Sequence, residues 1–581
     1  MYSFLTFAAD AAPAGGAAID QVAGMTLAVT LFTAGLLWLG LGHRAGRVTV
    51  LKRTSGALSR LSGLPGWAAL PLAVSGISLL IAVIGLYWDV SLHIDQGRDP
   101  GPLANPSHFF ILAGLYGIFT AGFLAIVLPS PAEAERLPTA VTIAPGWRAP
   151  IGGLLMAACA SFALLGFPLD DVSHRLFGQD VTLWGPTHLM MLGGAALTLV
   201  AVLVLFAEAR IAQRAERAAA TPPPPETPLA ACLRRARLVG ACGGMLAGLS
   251  IFQGEFDFGV PQFSLLFHPL LIAFAASLAL VLARTLIGRG GALAAVAFFL
   301  VLRGALALLV GAGFGETVPH FPLYVAEGVL VEALALRVGA RGVQSFRFGA
   351  LAGVLVATLG VLAEYAWSHV WMPLPWPAHI LPEALALALP VAVAGGLLGT
   401  FAAGGLRLRR ELVGRPRAWM AAGASLLALT AVTAFLLPTT APTGARAQIV
   451  LRTVHAGTGG DGRTVAALVR FDPPSAVADA NWLTITAWQG GGRLVVDRLR
   501  PLGDGVYATT RPIPVGGDWK AMIRLNRGRD LAAIPVALPA DAAIPTTGSA
   551  GGARAVPARA SVVRAFQPDR QVLQRERRQD V

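Results

Sequence analysis

Charge is what this chain has least of: 13% of its 581 residues are charged while 55% are hydrophobic, and the mean hydropathy is +0.64. Soluble domains carry about 25% charged residues, so the composition excludes an ordinary water-soluble fold and requires a lipid environment. Cysteine is rarer still. Cys159, Cys232 and Cys242 lie in or beside apolar segments; they are too few for a disulfide framework and read as small packing residues. Lysine is nearly absent from the apolar part, which excludes a retinal-type Schiff base. The N-terminal residues lack the basic start of a secretory signal, so the first apolar segment reads as a retained helix.

Long apolar runs, in contrast, abound. Crossing a bilayer takes about 20 residues, and twelve candidate spans are centred in 25–42, 66–88, 109–129, 150–168, 189–207, 238–253, 265–283, 291–313, 323–336, 348–364, 380–402 and 418–437. The net charge of +13 does not indicate a nucleic-acid partner, because the arginines concentrate in alternate loops, the pattern that orients membrane proteins. Arg44, Arg47 and Arg53, then Arg210, Arg214 and Arg217, then Arg337 and Arg341, then Arg407, Arg409 and Arg410 mark the cytoplasmic side. The expectation is a multi-pass protein of the cytoplasmic (inner) membrane with both termini outside. The loop 130–149, with Arg136 and Arg148 against Glu133 and Glu135, carries the weakest orientation signal.

Composition also divides the chain. Residues 1–220 hold the first five spans, 221–236 form a Pro-rich and basic cytoplasmic linker around "TPPPPETP", and 237–438 hold the remaining spans. From 439 to 545 short alternating segments such as "QIVLRTV", "TVAALVRF" and "WLTITAW" are separated by Gly, Pro and Asp. They predict a small all-β sandwich of the Ig-like kind outside the membrane. The fold class is therefore a polytopic all-α membrane bundle with an extracytoplasmic β-sandwich. The basic tail 546–581, rich in Ala, Arg, Gln and Pro, reads as disordered or partner-bound. In strand rhythm and in its "PVGGDW" stretch the sandwich is similar to the FixH-like or YtkA-like modules that accompany copper proteins. With His455 and Met522 as its lone histidine and methionine and no cysteine, it cannot build a blue-copper site, so a docking or shielding role is expected.

The ten histidines are not scattered. "WDVSLHIDQGRDPGPLANPSHFF" (88–110) and "LDDVSHRLFGQDVTLWGPTHLMM" (169–191) align as two copies of one helical hairpin. Asp89 and Asp170 each precede a histidine, His93 and His174, by four; Asp99 and Asp180 follow six later; His108 and His188 come after Pro-Ser and Pro-Thr. Residues four apart share a helix face, and a proline suits the first turn of the next helix, so each copy can bring one carboxylate and two imidazoles together. Such a set suits copper, with zinc or iron also possible, and Asp99 or Asp180 could orient an imidazole from behind.

Other turns on the expected outer side carry weaker versions: Glu255 and Asp257 with His268, Glu316 with His320, Glu364 with His369, and "WPAH" ending at His379. With Asp171, these are secondary candidates, competing with the reading of polar groups gathered at a membrane interface. The same caution applies to Trp88, Trp184, Trp367, Trp371 and Trp376, which interfaces enrich, and to Met190 and Met191, as apt for helix lining as for binding Cu(I). Arg303, Glu327 and Glu332 sit at membrane depth, where charges face a partner or a pathway; an Arg303–Glu332 pair is expected between adjacent helices, either as a structural ion pair or as part of a proton or substrate path.

The second copy, and slightly less the first, resembles the metal-binding hairpin of the C subunit of particulate methane and ammonia monooxygenases. In that hairpin Asp, three residues, His, a further Asp six on and a Thr-Pro-Ser-His turn supply a copper site facing the periplasm. The resemblance implies Asp170, His174 and His188, and Asp89, His93 and His108, as ligands. It covers about forty residues in all. The chain departs from the pattern in its longer loops and in the duplication, and no partner subunits are visible in it. The resemblance implies a copper-dependent oxidation of a small apolar substrate, with electrons from a quinol or another membrane subunit. Two other readings remain open: copper delivery to a client metalloprotein such as a respiratory oxidase, and a transporter whose hairpins surround Arg303 and the glutamates.

Overall fold

A computed structural model describes residues 19–97, 102–103, 105–177, 182–219, 227–342, 345–407, 416–455, 462–538 and 561–573. The helical part comprises α1 (Ile19–Arg44), α2 (Val50–Ser62), α3 (Gly66–Gln96), α4 (Pro106–Val127), α5 (Pro131–Glu135), α6 (Ile151–Phe177), α7 (Pro186–Ala219) and α8 (Pro228–Ser250). It continues through α9 (Gly254–Phe258), α10 (Phe267–Ile287), α11 (Gly291–Leu308), α12 (Val325–Gly342), α13 (Phe346–Leu355), α14 (Val361–Val370), α15 (Leu381–Leu406) and α16 (Pro416–Leu436). Among the described residues, 11 helices are long and apolar enough to cross a membrane, α13 and α14 counting as one through the π-helical turn Val356–Gly360. The expected twelfth span is α12. It forms, but Glu327, Glu332, Arg337 and Arg341 leave it too polar to satisfy the same criterion.

The bundle has two cores. Buried side chains of α2–α7, among them Trp67, Leu115, Ile118, Met156 and Leu205, form one; those of α8–α15, among them Cys242, Leu280, Phe299, Phe348 and Ala392, form the other. Leu199 and Leu203 of α7 also join the second core. Helix α10 sits centrally, with 72% of its apolar window buried, whereas α1 and α16 are peripheral at 6% and 11%. Without water to drive apolar faces together, membrane helices associate through close backbone approach at small residues. A Cβ on Gly114 of α4 would lie 2.6 Å from the Ala82 backbone nitrogen of α3, so this pair tolerates no side chain there.

The Pro-rich linker is shorter than expected. Residues 221–226 lie outside the described residues, but Thr227 caps a helix that opens at Pro228, its hydroxyl accepting from the Ala230 amide. Arg234, Arg235 and Arg237 are therefore helical, a proline at the first position being preorganised for a helix.

After the bundle the chain enters a separate β region. One sheet runs in the order β13 (Gln567–Pro568), β11 (Asp530–Ala537), β10 (Lys520–Arg527), β5 (Trp482–Trp488) and β6 (Val495–Arg498); the other runs β12 (Ser561–Ala565), β3 (Arg446–His455), β4 (Thr464–Asp472), β8 (Val506–Ala508) and β7 (Arg500–Gly503), all antiparallel, with β9 (Ile513–Pro514) also pairing with β4. The long members are β3, β4, β5, β10 and β11; the remaining members are short. Strands β1 (Val141–Ala144) and β2 (Trp147–Ala149) form a separate hairpin in the loop before α6. Ile449, Val469, Ile485, Ile523 and Ile534 share one core, as period-two alternation requires.

The expectation of a disordered tail fails for residues 561–573. Ser561–Ala565 (β12) pairs along β3, and Gln567–Pro568 (β13) pairs with β11. A short helix α17 (Asp569–Leu573) then brings Asp569 to within 2.6 Å of the buried Arg524 guanidinium. A buried arginine needs a counter-charge, and the tail supplies it. The rest of the tail lies outside the described residues.

Candidate metal centre

Both hairpins are built alike. In the first, α3 carries Asp89 and His93 on one face, and α4 starts under an Asn105 cap whose side chain accepts from the Ser107 amide. Pro106 and Ser107 thus place His108 on the first turn. Its Nε2 lies 3.0 Å from Asp89 Oδ1, and His93 Nε2 lies 3.7 Å from Asp89 Oδ2. One donor atom from each of the three residues falls within 4.8 Å of the others. The Asp89 carboxylate also accepts from Ser107 Oγ at 2.6 Å and Asn105 Nδ2 at 3.0 Å.

The second hairpin repeats the contact between the aspartate of one helix and the histidine that opens the next. Helix α7 opens at Pro186, Thr187 Oγ1 donates to Asp170 Oδ1 at 2.5 Å, and His188 Nε2 lies 3.3 Å from the same oxygen. His174 lies on α6, but its side chain is outside the described residues, as are Asp99 and Asp180, so their expected roles are not addressed by the geometry. Asp171 lines the same cavity as Asp170 and His188.

The other ring nitrogens define the chemistry. His93 Nδ1 lies 2.9 Å from the Gly97 carbonyl, His108 Nδ1 2.8 Å from the Pro102 carbonyl, and His188 Nδ1 2.6 Å from the Thr182 carbonyl. A carbonyl oxygen only accepts, so each Nδ1 carries hydrogen. Each Nε2 then faces a carboxylate either as a second N–H, in a charged imidazolium, or as a lone pair. Two acceptors at 3.0 Å repel unless a cation lies between them. The donor set, one carboxylate and two imidazoles with tautomers fixed from behind, fits a borderline divalent ion.

Thr182 is itself fixed. Its hydroxyl donates at 2.5 Å to buried Glu255, which also accepts from the amides of Leu183 and Gln262. Glu255 therefore positions the loop that orients His188, a part the sequence suggested only as a weak ligand candidate. Ser107, Thr187 and Asn105 were also missed, although the residue between proline and histidine is hydroxylic in both copies.

The remaining candidates have other partners. Asp257 pairs with Arg303 at 2.9 Å, and Arg303 also donates to the His320 carbonyl and to the Tyr87 hydroxyl. Arg303 does not pair with Glu332: that carboxylate takes Arg284 at 2.9 Å and the amides of Gly290 and Ala292. The two residues lie on different turns, and α9 puts Asp257 nearer. Glu327 is buried with no hydrogen-bond partner among the described residues. Glu364 accepts from the amides of Leu323 and Tyr324. His268 stacks on Phe256 and accepts from Trp376 Nε1, while His369 bonds the Tyr365 carbonyl of its own helix. His320 Nδ1 lies 3.2 Å from the Asp257 carbonyl, and burial pushes its pKa down. Among the described residues, Glu316 and Glu364 meet Gln96 and backbone amides rather than an imidazole.

The β region sits on this end of the bundle. Gln489 donates its amide to the Ile94 carbonyl, Gly491 to Asp95 and Leu494 to the Asp95 carboxylate, while His379 Nε2 meets Asn481. The loop after β5 thus packs on the last turn of α3, beside the first Asp-His-His set. Asp95 completes the seat by accepting from the Thr317 amide at 2.7 Å.

Beneath both sets lies one cavity of about 700 Å³, walled by α3, α7, α8 and α11 and lined almost wholly by apolar side chains below the histidines. His108 and Phe167 meet edge to face at its top, 5.6 Å apart, joining the two hairpins. Compared with models of known families, with curated proteins and with solved structures, the chain matches none.

Proposed function

We propose that this is a copper-binding membrane protein whose duplicated Asp-His-His hairpins hold metal above an apolar chamber, and that it oxidises a small apolar substrate entering from the lipid. The observation that carries this reading is the shared geometry at His108 and His188: Nδ1 committed to a carbonyl and Nε2 aimed at a carboxylate, twice, over one cavity. Bound copper would supply one-electron redox chemistry toward oxygen, with a quinol or a second membrane subunit as electron source. The residues themselves orient the donors and hold the imidazole tautomers, and the loop at Gln489 braces the turn that carries His93. The resemblance to the monooxygenase C subunit supports the same reading.

In this proposal the β region is an Ig-like sandwich that shields the metal, it lies outside the inner membrane together with both termini, and the arginine-rich loops face the cytoplasm. A second reading, copper delivery to a client metalloprotein, is favoured by the position of the β region beside the first donor set. Elemental analysis of the purified full chain, reconstituted with copper or with zinc, tests the proposal. It predicts one to two coppers per chain, lowered by His108→Ala and lowered further by adding His188→Ala. Unchanged metal content in the double variant refutes it. Oxygen uptake driven by a substrate then separates oxidation from delivery, in which metal passes to an apo client.

A further inference from the structure

The cavity does not end at the metal donors. It runs from Asp89 and His93 down to Leu72 on α3, 21 residues and so roughly 30 Å at 1.5 Å per residue. Its floor is reached by Phe206 of α7 and by Arg237 of α8. The Arg237 side chain is half-buried, and its Nη1 is wholly buried with no hydrogen-bond partner among the described residues. Leaving a buried charged donor unmatched is costly, and a guanidinium is shaped to receive a carboxylate through two parallel hydrogen bonds.

The side of the cavity faces lipid. Ile77 and Leu80 of α3 line it yet are 62% and 44% exposed, and a Cβ on Gly76 would touch nothing within 4 Å. Near its upper end α3 packs on α11 and its following turn through Tyr87 on Arg303 and Trp88 on Phe314. Below those contacts the wall of the cavity is formed by these exposed residues of α3. The volume is within the roughly 300–1,000 Å³ of ligand sites and suits one long chain.

We propose that the cavity binds a single-chain anionic amphiphile, a long-chain fatty acid, with its carboxylate on Arg237 and the far end of its chain beneath the Asp-His-His sets. Binding stands on the cavity and Arg237 alone; that the chain end is the part oxidised rests on the metal reading above.

The test uses metal-free full-length protein in zwitterionic nanodiscs, with palmitate as probe. Palmitate binds, whereas its methyl ester and the Arg237→Gln variant each weaken binding roughly tenfold or more, the value of a charge-assisted hydrogen bond. Arg237→Lys retains most of it. Gly76→Phe, placed where there is open space, blocks the cavity and abolishes binding, which keeps the test decisive if Arg237→Gln misfolds. Palmitate brominated at the chain end quenches the fluorescence that Trp488→Phe removes, and palmitate brominated beside the carboxylate does not. Equal binding of acid and ester, or Trp488 quenching by the carboxyl-side bromine, overturns the proposal. Displacement of palmitate by an equal amount of phosphatidylglycerol overturns it in favour of a bilayer lipid. Palmitate binding is read on metal-free protein and metal content by elemental analysis, so the two readings fail separately.

Discussion

The two halves of the bundle hold their carboxylates differently. In the half built around α10, carboxylates are held by arginine and backbone amides: Asp257 by Arg303, Glu332 by Arg284, Glu364 by Leu323 and Tyr324. In the half built around α3–α7, Asp89 meets His93, His108 and the Ser107 hydroxyl, and Asp170 meets His188 and the Thr187 hydroxyl. The first arrangement neutralises charge within the protein. The second leaves the histidines to be charged by a proton or bridged by a metal, and that difference separates a structural polar group from a candidate ligand.

The comparison can be broken most severely at Arg303. Arg303→Met strands buried Asp257, a loss of about 3–5 kcal/mol for breaking a buried pair; the melting temperature falls while metal content per folded chain is unchanged. A similar drop with loss of metal would erase the distinction between the halves. At Asp89 the expected pattern reverses. Asp89→Ala removes the shared acceptor of His93, His108 and Ser107, so copper at the first set is lost in equilibrium dialysis while the melting temperature moves less than in Arg303→Met.

Substitutions behind the ligands should act more gently. Thr187→Val and Ser107→Ala delete hydroxyls that fix the carboxylates, and such changes lower metal affinity roughly 10–100-fold, measurable by competition with a chelator. A null effect would mean that the hydroxyls only cap helices.

The smallest effect is a pH dependence where the β region docks. Glu316 is pushed up to about 7 by burial and by the neighbouring Asp95 carboxylate, against the opposing pull of Gln96 and Arg493. An unfolded glutamate titrates near 4.3, so the folded state holds the extra proton. The stabilisation is fully present below the unfolded value and is lost as pH rises through about 7. Thermal unfolding of the β region should therefore be easier at pH 8 than at pH 5.5, and Glu316→Gln should flatten the difference. A rise in stability toward pH 8 would contradict the assignment.

Much of this arrangement was legible from residue spacing. Asp four before His fixes a shared helix face, and Pro-Ser-His or Pro-Thr-His fixes the next helix start, so the donor set of the first hairpin followed from local rules. What escaped was long-range. Which carboxylate reaches Arg303 depends on where α9 lies, and Asp257 is 46 residues away in sequence. Glu255 acts on His188 through Thr182, a relay across 73 residues. The strand at Ser561–Ala565 was hidden by its Ala- and Arg-rich surroundings and is ordered by pairing with β3, a contact no local pattern encodes. The cavity has no sequence signature, since its lining is the same apolar code that faces lipid.

The most direct measurement is X-ray absorption at the copper edge on the reconstituted full chain, beside the His93→Ala/His108→Ala variant. Imidazole scattering with nitrogen or oxygen at about 2.0 Å, its intensity reduced in the variant, is the predicted result. Copper without imidazole ligands, or a spectrum the variant leaves unchanged, would show that these histidines hold protons against their carboxylates and that the duplicated hairpin is not a metal centre.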